Sequence, residues 1–283
     1  VAYSFERDEP VAEAVTRIME EQIARARDQL TDPEATLEKR IHDARKRFKE
    51  TRALLRLVHE PLGARASVED AWFRDAGRDL AGARDADAVI EALEKLASLK
   101  PIPPEVLQSA RRSLKARRGR AQRGELDNRI ANVVEQMIVP QARLGMWPRL
   151  DNSFDTIATG LGWSYRRGRQ AMDEALKSLA DEDFHEWRKR VKEHWYHAQL
   201  LRALWPAMMK SYASALEELS RALGDHHDLA VLRGLVTKWP EAGAAIDERQ
   251  KELESAAAEI GGRVYAERPG QFLARMRNYW SAW

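Results

Sequence analysis

The stretches "IHDARKRFKETR" (residues 41–52) and "FHEWRKRVKEHW" (184–195) are written on one template, H-x-x-R-K-R-x-K-E. His42, Arg45, Lys46, Arg47, Lys49 and Glu50 are answered by His185, Arg188, Lys189, Arg190, Lys192 and Glu193, each 143 residues later. At 100° per residue, His42, Arg45, Lys49, Arg52 and Arg56 fall on one stripe of a helix, while Ile41, Ala44, Phe48 and Leu55 fall on the neighbouring one. One face therefore packs and the adjacent face is cationic. Residues 39 to 56 carry eight Lys/Arg against only Asp43 and Glu50, so ion pairs along the helix cannot neutralise it. At 1.5 Å rise the stripe extends roughly 21 Å, a line of charge suited to a linear polyanion. In the second copy His185, Arg188 and Lys192 repeat the start of the stripe, after which Trp195 and Gln199 replace the arginines.

The same register continues beyond the template. Arg78 matches Arg221, Leu80 matches Leu223 and Asp85 matches Asp228, without a gap from residue 42 to residue 85. The intervening sequence is rich in Ala, Leu, Glu, Arg and Lys with helical periodicity, as in Val11, Ala14, Val15, Ile18, Met19, Ile23 and Ala26. The spacing predicts helices near 36–60, 67–98, 105–139, 152–180, 182–205, 207–238, 241–267 and 270–282, punctuated by prolines at 33, 61, 101–104, 140, 148, 206 and 240. The expected fold is all-α: two pseudo-symmetric bundles, 1–145 and 146–283, of about four helices each, related by internal duplication.

Composition narrows the function classes. The chain has 283 residues, 44% of them hydrophobic, enough for a sizeable core. Its 47 basic and 45 acidic residues nearly cancel, so an electrostatic partner must be sensed by local clusters and not by the mean field. The absence of cysteine excludes thiolate catalysis, disulfides and Cys-ligated zinc, and fits a reducing compartment. No apolar run reaches the 18 or so residues of a membrane span, and "VAYSFERDEP" has no signal-peptide core, so the expectation is a cytoplasmic protein without a membrane partner. The chain begins at Val1 and not at Met, which leaves room for an upstream segment.

Other segments bear on the site. In "RDLAGARDADAVI" (78–90) and "RALGDHHDLAVLR" (221–233), Gly82 and Gly224 are expected to break or kink a helix, and Asp85 and Asp228 to cap the next helix or hold a basic residue in place. "GDHHD" invites a metal site, but His226 and His227 have no counterpart in the first half, and adjacent residues point about 100° apart. No metal and no cofactor is expected. "WSYRRGRQAM" (163–172) sets Arg166 and Arg169 on one face with Arg167 alongside. Between Arg111 and Arg123 stand seven Lys/Arg and no acid, a solvated face or secondary anion patch. The nine tryptophans, eight of them from Trp147 onward, read as core packing of the second half.

Taken together, "IHDARKRFKETRALLRLV" (41–58), "RDLAGARDADAVIEAL" (78–93), "SYRRGRQAM" (164–172), "FHEWRKRVKEHWYHAQLL" (184–201) and "RALGDHHDLAVL" (221–232) resemble the CHAD domain family, and the resemblance covers nearly the whole chain. It implies two pseudo-symmetric helical bundles that bind inorganic polyphosphate through basic residues lining a cavity or channel between them, with association to polyphosphate granules. By that resemblance His42, Arg45, Lys46, Lys49, Arg52, Arg166, Arg169, His185, Arg188, Lys189 and Lys192 become candidate ligands, followed by Arg78, Arg84 and Arg221, and the stripe adds Arg56. The chain departs from the pattern at His227, which stands where the first half has Arg84. The leading expectation is a non-catalytic polyphosphate-binding module. The alternatives are nucleic-acid binding by the same faces and a metal-dependent phosphohydrolase. Nucleic acid is the weaker partner, because no groove-reading helix or aromatic platform accompanies the basic stripe.

Overall fold

The computed structural model describes the backbone of residues 3–81, 85–118 and 123–283, and the side chains of 3–81, 88–115 and 126–283. Among the described residues the regular structure is helical and no strand occurs. The elements are α1 (Val11–Thr31), α2 (Leu37–Leu57), α3 (His59–Leu62), α4 (Ala64–Asp79), α5 (Asp85–Leu99), α6 (Pro104–Arg118) and α7 (Arg123–Gln136). They continue with α8 (Ile138–Leu144), α9 (Asp155–Ser178), α10 (Asp181–Leu200), α11 (Pro206–Leu235), α12 (Pro240–Val264) and α13 (Pro269–Ala282).

Local chemistry accounts for many boundaries. The Thr36 hydroxyl accepts the Lys39 N–H at 3.3 Å at the start of α2, satisfying one of the donors a helix start leaves open. Helices α6, α11, α12 and α13 open on Pro104, Pro206, Pro240 and Pro269, where a missing N–H costs nothing. Two expectations, a break at Gly224 and a cap at Asp228, are corrected. The helix expected over 67–98, with a break or kink at Gly82, is two helices, α4 and α5, with Leu80 as the C-cap of α4, donating its N–H to the Ala76 carbonyl. Its counterpart α11 runs unbroken from Pro206 to Leu235 straight through Gly224. Glycine costs about 1 kcal/mol in a helix interior, which the burial of Leu219, Leu223, Leu229 and Leu232 around it outweighs. Asp228, mid-helix, therefore caps nothing, while the side chain of Asp85 lies outside the described residues.

Apolar side chains form two clusters. The larger joins α1, α2 and α4 to α9, α10, α11 and α13, with Phe48, Phe73, Phe184, Trp187 and Tyr165 among its fully buried members. The smaller is built by α5 and α6 on α11 and α12: Leu93, Leu96, Ala110 and Leu114 pack with Leu229, Leu232, Ile246 and Leu253. Both clusters cross residue 145, so α5 and α6, early in the chain, sit on helices from its later part.

The template helices repeat in burial as well as in sequence. In α2 the buried residues are Ile41, Ala44, Phe48, Glu50, Thr51, Ala53, Leu54, Leu55 and Leu57. In α10 they are Phe184, Trp187, Val191, Glu193, His194, Tyr196, His197, Ala198 and Leu200, every one displaced by 143. The two helices are joined near their C-terminal ends, where His197 Nε2–H donates to the Ala53 carbonyl at 2.8 Å and Arg56 pairs with Glu193. Helix α9 closes on the same corner. A Cβ at Gly160 would overlap the Leu57 carbonyl oxygen, so only glycine permits this approach.

Candidate functional site

Because α2 and α10 present the same face to the core, their cationic faces emerge side by side. Between them lie two cavities, of about 520 Å³ and about 360 Å³, that share Lys49, Arg188, Lys192 and Tyr196 and so form one trough. The first is lined by His42, Arg45 and Lys46 from α2, by Trp195 from α10 and by His227 and Asp228 from α11. The second continues along Arg52, Ala53 and Arg56 from α2 and along Lys189, Arg190 and Glu193 from α10. Nine Lys/Arg side chains and two carboxylates line the whole. That excess of like charge in one concavity focuses a positive potential that an anion would relieve.

The two ends differ. At the C-terminal end of α2, Arg52 holds both oxygens of Asp70 on α4, at 3.0 and 3.1 Å, and Arg56 reaches Asp70 at 3.1 Å as well as Glu193. Two carboxylates from neighbouring helices thus offset two arginines of the stripe. Glu193 is almost fully buried and also faces Arg190 at 3.8 Å, just as buried Glu50 pairs with Arg47 at 2.6 Å in α2. Arg190 and Lys189 both pair with Glu186.

The other end is built around Arg188, where α10 meets α11. The Arg188 guanidinium lies over Gly224 of α11, where a Cβ would meet its Nε at 3.5 Å, and this Nε has no hydrogen-bond partner among the described residues. Beside it the His185 ring lies against the His227 ring, centroids 4.1 Å apart. Burial, then His227, Lys189 and Arg188, push the His185 imidazole down to about 4. Burial, then Arg188, also lowers His227. His226 points elsewhere: it stacks on Phe184 at 4.5 Å in the core and lies 3.3 Å from Glu254. The adjacent histidines therefore serve different surroundings, and among the described residues no cluster of three metal-ligating side chains occurs.

Of the residues anticipated from sequence, His42, Arg45, Lys46, Lys49, Arg52, Arg56, Arg188, Lys189 and Lys192 line the trough, with His185 behind His227. The structure does not bring the others to its walls. Arg169 donates to the Glu267 carbonyl at 2.8 Å on the far side of α9, and Arg166 is exposed. Arg78 and Arg221 are exposed and pair locally with Asp75 at 3.4 Å and Glu217 at 3.8 Å. Arg84 lies outside the described residues, as do the side chains of the basic tract from residue 116; Arg111 of that tract pairs with Glu94. Two arginines went unassigned. Arg190 lines the trough, and Arg167 stacks over Trp163 at 4.6 Å, 3.8 Å from Glu186. Burial, then Arg190, lowers the Arg167 pKa. Arg190 was visible as a template position; Arg167 required the phase of α9 against α10.

The sequence matches the CHAD domain family over residues 9–237. The chain belongs to the CHAD family. The fold of this CHAD domain is similar to that of PptA from Streptomyces chartreusis, with a TM-score of 0.61 at 15% identity over 92% of this chain and 100% of that one. It is equally similar to the CHAD domain from the plant Ricinus communis, with a TM-score of 0.61 at 17% identity over 95% and 96%. No curated protein matches the chain in sequence. Among the described residues no helix of this CHAD domain is long and apolar enough to cross a membrane.

Proposed function

We propose that this CHAD domain binds inorganic polyphosphate in the trough between α2 and α10 without transforming it. One observation carries the reading: two copies of one cationic helix stripe form opposite walls of a single concavity in which nine Lys/Arg face two carboxylates. Polyphosphate is a linear polyanion without base edges, so positioned charge and N–H donors suffice to hold it, and Arg and Lys supply both. Trp195 and Tyr196, the aromatic residues of the trough, pack against each other at 5.0 Å, which favours a wall over a base-stacking platform. Glu193, a buried acid of the lining, is held through Oε2 by Arg56 and Arg190, which supports a counter-charge role over a catalytic one for it. Retention on the polymer would carry the protein to polyphosphate granules.

Isothermal titration with long-chain polyphosphate tests the reading. Affinity should fall with salt with a slope of about −0.7 per contacted phosphate, by analogy with single-stranded nucleic acid. Polyphosphate should displace RNA far better than RNA displaces polyphosphate. Incubation with polyphosphate and Mg²⁺ or Mn²⁺ should release no phosphate above a buffer control. Affinity independent of salt, or chelator-sensitive phosphate release, would contradict it.

A further inference from the structure

His227 occupies the position at which the first half of the chain has Arg84, so a fixed charge is exchanged for a titratable one. It lines the trough, and its ring lies 4.1 Å from that of His185, which stands at the template position of His42. Arg188 is the third member of the group, and two of its polar atoms are buried without a partner among the described residues: Arg188 Nε and His185 Nδ1. Two imidazoles packed against each other beside a guanidinium repel when protonated, and burial adds to the cost. A phosphate group reverses both effects, because it accepts from the guanidinium and from a protonated imidazole.

From this juxtaposition we propose that His185, His227 and Arg188 form a proton-gated phosphate subsite at one end of the trough. The polymer enters it together with a proton taken up by the imidazole pair. This deepens the polyphosphate reading and rests on it. The surrounding charges set the direction. On α10, Asp181 favours the protonated form of His227 while Lys189 and Arg188 oppose it. Glu186 favours protonation of His185. On α11, His226 opposes protonation of His227, and Asp228 lines the trough beside it. Across the trough α2 contributes His42 and Arg45, and from α12 Glu254 faces His226. Without ligand, burial first and the repulsive neighbours second hold both imidazoles below their ordinary value, so the pair stays neutral near pH 7. A bound phosphate raises them, so affinity rises as pH falls through the bound-state pKa, by up to about tenfold per pH unit for each proton taken up.

The test is isothermal titration of long-chain polyphosphate from pH 8.0 to 5.5 at constant ionic strength, in buffers of differing ionisation enthalpy so that proton uptake is counted directly. Inner phosphates of a long chain stay ionised across this range, so the protons counted belong to the protein. The wild type should bind at least tenfold more tightly at pH 5.5 than at pH 8.0, with net proton uptake. His227→Gln should lose at least half of that gain and half of the uptake. His227→Arg, which restores the residue type of the first half, should bind more tightly than wild type at pH 8.0 and change less with pH. His42→Gln should keep most of the gain, since it leaves the His185–His227 ring pair in place. A wild type that binds equally at both pH values without proton uptake overturns the gate and leaves polyphosphate binding standing. So does a His227→Gln variant with the full wild-type slope. No binding at any pH overturns the gate and the functional reading together.

Discussion

Helices α2 and α10 share a template, yet each does something different with its charged face. Their buried positions coincide one for one, down to an acid at Glu50 and Glu193 held by an arginine three residues earlier. On the open face they part: α2 carries its stripe on to Arg52 and Arg56, which lean on Asp70, while α10 turns to Trp195 and Gln199. The partner helices diverge too. The first-half counterpart of α11 is divided into α4 and α5, and α5 packs onto α11 itself. Packing tolerates little change in shape, whereas a solvent-facing stripe is free to vary. We propose that the halves are an internal repeat in which the core face was retained and the charged face specialised.

The largest effects should follow from removing the contacts that join the halves. Gly160→Ala forces a methyl into the Leu57 carbonyl and should cost about 3 kcal/mol, measured by urea unfolding. Glu193→Gln leaves Arg56 and Arg190 without their buried counter-charge and should cost about 2–3 kcal/mol. Because it also adds one net positive charge to the trough, it should raise polyphosphate affinity severalfold. Glu50→Gln is the contrast. Burial raises the Glu50 pKa, so its charged form is already disfavoured, and the change should cost less than Glu193→Gln and leave binding unchanged. Equal costs for the two variants would mean that the acids do the same work in both halves.

Charge reversal of Arg45 and Lys49 to Glu should lower affinity for long polyphosphate about 100-fold at low salt while melting shifts little. Loss of folding in that variant would make the stripe a structural network.

Acid sensitivity should be a property of the later half. His194 is pushed down to about 3 by burial, and burial lowers His197 too; their counterparts in α2 are Thr51 and Leu54. A folded-state value below the ordinary 6.5 means that the unfolded chain binds protons first. Stability is then complete above pH 6.5 and declines as pH falls towards these lowered values. His194 alone should contribute about 2 kcal/mol of that loss by pH 5. His197→Leu, copying Leu54, should flatten the pH dependence of Tm at some cost near neutrality, since the Ala53 carbonyl loses its donor. The smallest effect is expected at Arg78 and Arg221, exposed and outside the trough, where reversal to Glu should change affinity by about twofold or less.

The legible part of this molecule is what a single helix determines. Periodicity marked the core face of α1 and α2, and prolines marked the starts of α6, α11 and α12. The stripe from His42 to Lys49 was readable because residues three and four apart on one helix must share a face. What escaped depends on neighbours brought in from elsewhere in the chain. Nothing near Arg52 or Arg56 in sequence announces Asp70 or Glu193. The Arg166 and Arg169 spacing was sound as a face of α9, but Arg169 meets the Glu267 carbonyl, Arg166 is exposed, and Arg167 is the one turned towards α10. Gly224 reads as a break because local propensity disfavours it; in place, α11 runs through it on the packing of the leucines around it.

If the two repeated stripes hold one polymer, affinity must depend on its length, and titration with size-fractionated polyphosphate measures that dependence. A chain long enough to touch both walls gains from the high effective concentration of its second segment. Affinity should therefore rise steeply with chain length until both walls are spanned and then level off, and changing Arg188 and Lys192 to Glu should flatten the rise while sparing the weak binding of short chains. Equal affinity for tripolyphosphate and long chains, or an unchanged length dependence in that double variant, would contradict it.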